Sequence, residues 1–279
     1  MIQDIYPHIL HNQYESEAIA TSEDTVLNIS NGKILVCEKM KEQNVLEFPK
    51  VKDFSKEYEY RYLFAVDEQK YYLINGELEE SEIPKGFVYM TDRQIRRADM
   101  CPAENVFASI TGKHLSDWYN DTRFCGRCGG KMSHSEKERA MVCKCGYTAY
   151  PRIMPAVIVG VINGDSLLIT RYREGYGHNA LIAGFTEIGE TMEETVAREV
   201  MEETGIKVKN IRYYKSQPWG TANDILLGYY CELDGDSTIS MDSNELKYAE
   251  WVERDEIELQ PGNYSLTNEM MRMFKEGRE

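Results

Sequence analysis

The stretch of residues 184–206, GFTEIGETMEETVAREVMEETGI, restricts the local structure of this chain more than any other segment. Thr191 suits a helix N-cap, and Glu194 three residues later completes a reciprocal capping box. Gly205 is typical of the residue that follows a helix. The segment therefore predicts a glycine-punctuated loop followed by a helix that ends near Thr204.

The predicted helix carries two kinds of residue on different faces. Its expected apolar stripe consists of Ala197, Val200 and Met201. Three carboxylates at positions i, i+3 and i+4 share another face, and they are Glu199, Glu202 and Glu203. Like charges on neighbouring turns repel, and such oxygen-rich clusters suit Mg²⁺ or Mn²⁺. A solvated acidic helix face is the alternative interpretation.

Arg198 directly precedes the first of these carboxylates in sequence but cannot face all three of them. We expect it to reach back to Glu190 and to hold the loop against the helix.

The segment resembles the Nudix box, G-x5-E-x7-R-E-U-x-E-E-x-G-U with U an aliphatic residue, at every specified position. The matching residues are Gly184, Glu190, Arg198, Glu199, Val200, Glu202, Glu203, Gly205 and Ile206. The resemblance implies a hydrolase that cleaves a nucleoside diphosphate linked to another group with the help of a metal. It also implies an α/β/α sandwich around a mixed sheet.

Four cysteines ahead of this segment form two close pairs, Cys125/Cys128 and Cys143/Cys145. A glycine after Cys128 and one after Cys145 allow tight turns, and four thiolates at these spacings predict a structural Zn²⁺ ribbon. The second pair is C-x-C, where zinc ribbons usually have C-x-x-C. Two disulfides or free thiols are the alternatives, although seven cysteines without a secretion signal favour a reducing compartment.

Charge and hydropathy argue against two classes of protein, general nucleic-acid binders and membrane proteins. The net charge of −15 over 279 residues argues against general nucleic-acid binding. Residues 121–150 are an exception, because this segment has six basic residues and only three acidic ones. The local positive charge either attracts phosphates or is simply solvent-exposed charge on the surface of the ribbon. No apolar run is long enough for a membrane span, and the N-terminus lacks a signal-peptide pattern. We therefore expect a cytoplasmic protein without a membrane partner.

The chain divides into three predicted regions, an N-terminal mixed α/β domain (1–120), a Cys₄ zinc ribbon (121–150) and a Nudix domain (151–279). Strands are predicted for the first region at 25–29, 33–37, 60–66 and 71–74, and helices at 91–99 and within 105–119. Strands are predicted for the third region at 156–163, 166–171, 207–216, 224–233 and within 245–254, with a closing helix at 265–274. Cys37 and Cys231 are expected in the core.

Two features outside the box indicate a branch of the family. A zinc-ribbon pattern precedes the Nudix segment, and Ser216-Gln217-Pro218-Trp219 follows ten residues after it. Both resemble the NADH pyrophosphatase branch, whose SQPW signature commonly continues P-F-P-x-S. This chain instead reads Gly220-Thr221-Ala222-Asn223-Asp224, a departure in the loop expected around the pyridine nucleotide.

The resemblance implies roles for individual residues. The catalytic residues, which would also bind Mg²⁺ or Mn²⁺, are Glu199, Glu202 and Glu203. Glu245 would add a metal ligand from a distant segment, and Ala183 a backbone carbonyl. Tyr150 and Phe185 would stack on the nicotinamide, partly across a dimer interface, with burial in a core as the alternative for each. The remaining implied substrate contacts are residues 217–224, Arg93, Glu138 and Thr267.

The expected activity is hydrolysis of NADH or NAD⁺ to nicotinamide mononucleotide and AMP by a homodimer. Removal of an NAD cap from RNA is the same chemistry on another partner. A Nudix hydrolase for ADP-ribose, diadenosine polyphosphate or coenzyme A is the alternative enzyme. A Nudix-derived regulatory binding protein is the non-enzymatic alternative.

Overall fold

The computed structural model describes residues 1–40, 44–97, 99–174 and 177–279. Its contacts divide the chain into two compact units. The N-terminal unit contains Gln3–Arg152 and Gly220–Asn223, and the C-terminal unit contains Met1–Ile2, Ile153–Trp219 and Asp224–Glu279. Within the described ranges, no helix has the length and apolar character needed to cross a bilayer.

The N-terminal unit is built on an eight-stranded mixed sheet. Its strands are β1 (Leu10–His11), β2 (Thr25–Ser30), β3 (Lys33–Met40), β4 (Asn44–Glu47), β5 (Tyr60–Val66), β6 (Gln69–Ile74), β7 (Val88–Thr91) and β8 (Met100–Cys101). The order is β1-β5-β6-β2-β3-β4-β8, with β7 paired to β3. The pairs β2/β6 and β4/β8 are parallel, and the others are antiparallel.

Two helices accompany this sheet, α1 (Asp92–Ile95) and α2 (Ala103–Asp121). The helix predicted at 91–99 is wrong in length, because Arg96 already leaves helical geometry and Met100 begins β8. Residue 98 of that prediction lies outside the described residues. The predicted core position of Cys37 is also wrong. Cys37 is only half-buried, since it pairs with Glu47 of β4 beyond the fully buried part of β3.

The ribbon belongs to the same unit and forms a small antiparallel sheet of β9 (Ser133–His134), β10 (Met141–Val142) and β11 (Thr148–Ala149). Tight turns carry its cysteines. Gly129 N–H donates to the Cys125 carbonyl and Cys125 N–H to the Gly130 carbonyl, each at 2.8 Å.

The C-terminal unit contains a six-stranded sheet and two helices. The strands are β12 (Met154–Asn163), β13 (Ser166–Tyr172), β14 (Ile182–Phe185), β15 (Val208–Trp219), β16 (Asp224–Leu233) and β17 (Leu246–Glu253), and the helices are α3 (Met192–Thr204) and α4 (Leu266–Lys275). The order is β15-β16-β12-β13-β17, with β14 paired to β12. Only β12/β16 is parallel among these described pairs, so the sheet is mixed.

Alternate residues of β12 explain how this sheet is covered on both faces. Val157 and Val159 pack in the cluster that contains Val196 and Val200 of α3. Ala156 and Ile158 pack in the opposite cluster, which contains the buried Met270, Met271 and Phe274 of α4. A strand buried on both faces reads as a continuous apolar run. The predicted α/β/α sandwich with a mixed sheet is confirmed, as is the core position of Cys231.

Candidate metal and substrate site

Helix α3 begins and ends as its sequence predicts. The Thr191 hydroxyl accepts from Glu194 N–H, and the Glu194 carboxylate accepts from Thr191 N–H at 2.8 Å, which completes the capping box. Gly205 ends the helix with φ of 70°, a left-handed conformation that most side chains disfavour. Local interactions at both ends therefore determine where helix α3 begins and ends.

The apolar stripe predicted for α3 is wrong. Ala197 and Met201 are exposed, and the buried residues are Thr195, Val196, Val200, Glu203 and Thr204. The two valines pack into the sheet and turn the helix so that Ala197 and Met201 face solvent. This rotation places a carboxylate, that of Glu203, on the buried face.

The three glutamates of α3 that are predicted to bind metal consequently occupy different environments. Glu203 is 2% exposed, whereas the side chains of Glu199 and Glu202 are 13% and 59% exposed. Two carboxylates are thus withdrawn from water, and the third remains accessible to it.

Glu203 is a buried carboxyl group with incomplete hydrogen bonding. Burial, together with the charges of Glu199 and Glu245, raises its pKa to about 8, against the opposing effect of hydrogen bonds from Ala183 N–H and the Tyr172 hydroxyl. The Tyr172 hydroxyl lies 3.5 Å from Oε1. Among the described residues, Oε2 is buried and has no hydrogen-bond partner. A buried carboxylate oxygen of this kind fits a bound cation.

Glu199 depends on the absence of a side chain at Gly184. A Cβ at position 184 would lie 2.0 Å from the Glu199 carboxyl carbon. The carboxylate can therefore occupy this place against β14 only because residue 184 is glycine. Burial raises the pKa of Glu199, and the hydrogen bond from Arg198 acts against that rise.

Arg198 makes the predicted contact with Glu190. Its Nε and Nη2 donate to the two Glu190 oxygens at 2.6 and 2.9 Å, and this pairing lowers the pKa of Glu190 to about 2. Nη2 also donates to the Phe185 carbonyl, which ties the loop to the helix. Nη1 donates to Glu199 and Glu202 at 2.7 and 3.0 Å, so Arg198 also supplies a countercharge to these two carboxylates.

Two further oxygen donors approach this cluster from other segments. Glu245 is exposed directly before β17, and its charge raises the pKa values of Glu199 and Glu203. The Ala183 carbonyl on β14 accepts from the Tyr172 hydroxyl at 3.5 Å. Carboxylate and carbonyl oxygens are the ligands that Mg²⁺ and Mn²⁺ prefer, so the donor set fits such an ion.

Tyr172 was missed by the sequence reasoning. Burial raises its pKa, and its hydroxyl accepts from Ala183 N–H at 3.1 Å while it also contacts Glu203. The feature that could have indicated its role is its position at the end of β13, where it pairs with Leu246, the residue after Glu245.

The substrate residues implied for the C-terminal unit differ in accessibility. Phe185 is half-exposed, which rules out the alternative of core burial. Gln217 is fully buried, with its amide bonded to the Tyr264 carbonyl and the Leu266 N–H. Burial raises the pKa of Asp224 to about 6, and its Oδ1 has no hydrogen-bond partner among the described residues. The remaining residues of this set are the exposed Pro218, the half-buried Trp219 and the half-buried Thr267 of α4.

The other implied substrate residues belong to the N-terminal unit. Tyr150 is 58% exposed, which rules out its core burial, and its hydroxyl donates to Glu138 at 3.0 Å. Arg93 is exposed on α1. In the segment 220–223, Ala222 is exposed, and a Cβ at Gly220 would lie 2.6 Å from the Ile110 carbonyl. The Thr221 hydroxyl and Asn223 Oδ1 are buried without partners among the described residues.

The four cysteines converge on one point. Their Sγ atoms all lie within 4.8 Å of one another, with Cys125–Cys145 at 3.7 Å and Cys128–Cys143 at 3.5 Å. A tetrahedral zinc ion with Zn–S bonds of about 2.3 Å places its sulfurs about 3.8 Å apart, whereas a disulfide bond is about 2.05 Å long. The spacing fits zinc and does not fit disulfides. Burial raises the pKa of Cys125, but hydrogen bonds from the Arg127 and Cys128 N–H groups outweigh it and lower that pKa to about 7.

Comparison with known proteins identifies two domains in this chain, one around each of these clusters. Residues 152–273 match the family model for the NUDIX domain, and residues 120–148 match the NADH pyrophosphatase zinc ribbon domain. The NAD-capped RNA hydrolase NudC of Klebsiella pneumoniae (strain 342) is 41% identical over 182 residues, which cover 61% of this chain and 69% of that protein. The chain belongs to the Nudix family, in its NADH pyrophosphatase branch.

Other Nudix proteins match shorter parts. The NAD-capped RNA hydrolase NudC of Salmonella heidelberg (strain SL476) is 43% identical over 152 residues, or 54% of this chain. The match spans 59% of the length of that relative. The crystal structure of a NUDIX hydrolase from Nitrosomonas europaea is similar with a TM-score of 0.49 and 21% identity, over 56% of this chain and 92% of that one.

Proposed function

We propose that this protein hydrolyses the pyrophosphate bond of NADH or NAD⁺ and releases nicotinamide mononucleotide and AMP. The observation that carries the proposal is the pair of carboxylates withdrawn from water, Glu199 against Gly184 and the buried Glu203, in a chain that also has an NADH pyrophosphatase zinc ribbon. Carboxylates whose negative charge is not fully balanced by hydrogen bonds or countercharges suit a cation that also binds pyrophosphate oxygens.

The proposed ligands for Mg²⁺ or Mn²⁺ are Glu199, Glu202, Glu203, Glu245 and the Ala183 carbonyl. Such an ion, when bound, neutralises pyrophosphate charge and lowers the pKa of a water molecule. The zinc ion is proposed to be structural, because four cysteines fill a tetrahedral shell.

The residues of the chain have distinct proposed tasks in the reaction. Glu202 is the most exposed box carboxylate and contacts Arg198 alone among the described hydrogen-bond partners, so it is the proposed acceptor of a proton from the attacking water. Arg198 holds Glu199 and Glu202 in place while it remains bound to Glu190. Water adds to one phosphorus, and the other phosphate leaves with the P–O bond electrons.

The exposed ring of Phe185 supports a stacking role toward the nicotinamide, and the exposed Tyr150 with its Glu138 contact supports a second one. Residues 217–224, Arg93 and Thr267 complete the proposed substrate contacts. We also propose that the protein is a cytoplasmic homodimer. Light scattering on the purified protein should then give twice the mass of one chain. A monomer that turns over at the full rate would contradict the dimer.

The deciding experiment is a substrate panel with purified protein and Mg²⁺ or Mn²⁺ in parallel. NADH, NAD⁺, ADP-ribose, diadenosine polyphosphate and coenzyme A are ranked by kcat/KM, with AMP or its counterpart as the product. NADH or NAD⁺ should rank first. A higher rank for another compound would move the protein to the alternative enzyme, and no turnover at all would favour a regulatory binding protein.

Removal of the NAD cap from RNA is a second candidate. Its support is that the relatives at 41% and 43% identity are named NAD-capped RNA hydrolases. Turnover of NAD-capped RNA and of free NADH by the same preparation compares the two substrates. A kcat/KM for capped RNA far below that for NADH would reject the RNA as a substrate.

A further inference from the structure

A cavity of about 670 Å³ lies within the N-terminal unit. Its walls are the end of α2, the first cysteine turn of the ribbon, β9 and the turn at Asn75 and Gly76. None of its lining residues belongs to the proposed metal or dinucleotide sites. Cavities of about 300–1,000 Å³ are the usual size for small-ligand sites.

The first cysteine turn holds an aromatic ring and an ammonium group side by side. Phe124 and Lys131 form an antiparallel bridge, and they flank the turn closed by the Cys125 N–H to Gly130 carbonyl bond. Met132 N–H donates to the Arg123 carbonyl at 3.0 Å and extends the pairing. Directly opposed residues project to the same side. Phe124 is 64% exposed and lines the cavity, so its ring is available for stacking.

Other residues that line the cavity offer aromatic and neutral polar groups. The Tyr119 and His134 rings meet edge to face, with centroids 5.1 Å apart. Burial lowers the pKa of His134, and the charge of Arg61 lowers it further, so the imidazole is neutral near pH 7. A neutral imidazole and the Asn75 side-chain amide can both donate and accept hydrogen bonds, as base edges require.

The cavity also carries uncompensated positive charge. Arg123 Nε donates to the Asn120 carbonyl at 3.2 Å, and in the described ranges neither Arg123 nor Lys131 has an acidic partner. Glu59, the acidic residue among the described lining residues, is paired with Arg61 at 2.6 Å. This contrasts with the net charge of −15 for the whole chain.

We propose that this cavity binds a nucleotide, with its base stacked on Phe124 and its phosphate beside Lys131 and Arg123. The nucleotide is either free or one residue of a single-stranded RNA, since both present the same base and phosphate. Stacking on exposed aromatic rings combined with basic side chains is the general mode of single-strand recognition. An acidic peptide would use the two cations but would leave the ring and the neutral polar groups unmatched.

The test uses the full-length chain and two probes. A fluorescent hexa-adenylate RNA with a 5′-hydroxyl contains no pyrophosphate, and its binding is followed by fluorescence anisotropy. AMP is titrated calorimetrically. Phe124→Ala is expected to weaken hexa-adenylate binding about tenfold, while Phe124→Tyr retains it. Lys131→Glu should weaken binding to a similar extent and reduce its salt dependence.

Lys144→Glu is the matched control, because Lys144 is an exposed lysine of the same ribbon that does not line the cavity. Zinc content and thermal unfolding verify that each variant is folded. Hydrolysis of free NADH should be unchanged in the Phe124 and Lys131 variants, so loss of cavity binding is distinguishable from loss of the enzymatic activity.

The two probes separate the sources of the nucleotide. Phe124-dependent binding of hexa-adenylate alone assigns the cavity to RNA, and Phe124-dependent binding of AMP assigns it to a free nucleotide. Equal binding of both probes by the parent and Phe124→Ala proteins would overturn the proposal. Equal weakening by Lys144→Glu and Lys131→Glu would also overturn it, because only general charge attraction would remain.

Discussion

The cysteine cluster and the glutamate cluster are assembled in opposite ways. Four cysteine sulfurs converge within 4.8 Å from two short turns, and no other group of described His, Cys, Asp and Glu side chains is gathered as tightly. Glu199, Glu202 and Glu203 come from one helix and differ in exposure, and Arg198 supplies a countercharge to the first two. The structure therefore presents a closed set of four donors in one unit and an open set in the other.

This difference corresponds to two kinds of metal chemistry. A closed tetrahedral thiolate shell leaves no position for a substrate and suits a structural ion. Oxygen donors that are spread over several segments leave positions for phosphate oxygens and water. Variants that remove one donor at a time test whether the two clusters have these separate roles.

Removal of a cysteine ligand should have the largest effect. Cys128→Ser is expected to abolish zinc binding and to unfold the ribbon, because structural zinc contributes on the order of 10 kcal/mol to folding in small domains. Metal analysis and thermal unfolding measure the loss. Cys37→Ser, outside the cluster, should keep one zinc per chain. A Cys128→Ser protein with a full zinc content would contradict four-cysteine ligation.

Glu202→Gln should have the next largest effect. Loss of the proposed proton acceptor is expected to lower kcat by about 10²- to 10⁴-fold without unfolding the protein. Initial rates of AMP release measure it. Glu193→Gln, an exposed glutamate in the first turn of α3, serves as the control and should act like the parent. A Glu202→Gln enzyme with parental activity would remove Glu202 from the mechanism.

Gly184→Ala should lower activity by about 10²-fold, because the new Cβ would displace the Glu199 carboxylate. The affinity for Mg²⁺ should fall with the rate, which calorimetry measures, while the circular dichroism spectrum stays unchanged. Parental rate and affinity together would show that the position of Glu199 is not required.

The affinity for Mg²⁺ should depend on pH through Glu203. Its pKa of about 8 without metal means that the ion must displace a proton below that pH, so affinity should rise up to about tenfold per pH unit between pH 6 and pH 8. Calorimetric titration across this range measures the slope. Glu203→Gln should flatten it, and an unchanged slope in that variant would assign the proton to another group.

The raised pKa of Glu203 should affect the stability of the metal-free protein in the opposite direction, so that stability falls as the pH rises. The pKa of Glu203 is raised on folding, so the native state holds more protons than the unfolded state between about pH 4.5 and pH 8. The free energy of unfolding should therefore fall as the pH rises through this window, and Glu203→Gln should weaken the dependence in urea denaturation.

Tyr172→Phe should have the smallest effect, a decrease in kcat of about fivefold. The variant removes a hydroxyl that contacts Glu203 and Ala183 but leaves the ring in place. Magnesium affinity should fall by a similar factor if the hydroxyl positions these donors. Tyr213→Phe, on a half-exposed ring, is the control. Parental affinity and rate in Tyr172→Phe would leave the tyrosine a packing role only.

Short-range features of the fold were predictable from sequence. The capping residues of α3, its end at Gly205 and the continuous apolar run of β12 each depend on a few neighbouring residues. The pairing of Arg198 with Glu190 was also predictable, since a loop followed by a helix brings them together. The spacing of the cysteines predicted their convergence for the same reason.

The tertiary structure alone determined which side of α3 is buried. Periodicity groups Ala197 with Met201 and Glu199 with Glu203, but the packing of Val196 and Val200 against the sheet chose the orientation. That rotation buries Glu203 and raises its pKa, and it leaves Glu202 exposed. Tyr172 and the cavity beside Phe124 likewise arise from segments distant in sequence. Local spacing thus specifies which groups are present, while long-range packing decides their solvation and therefore their chemistry.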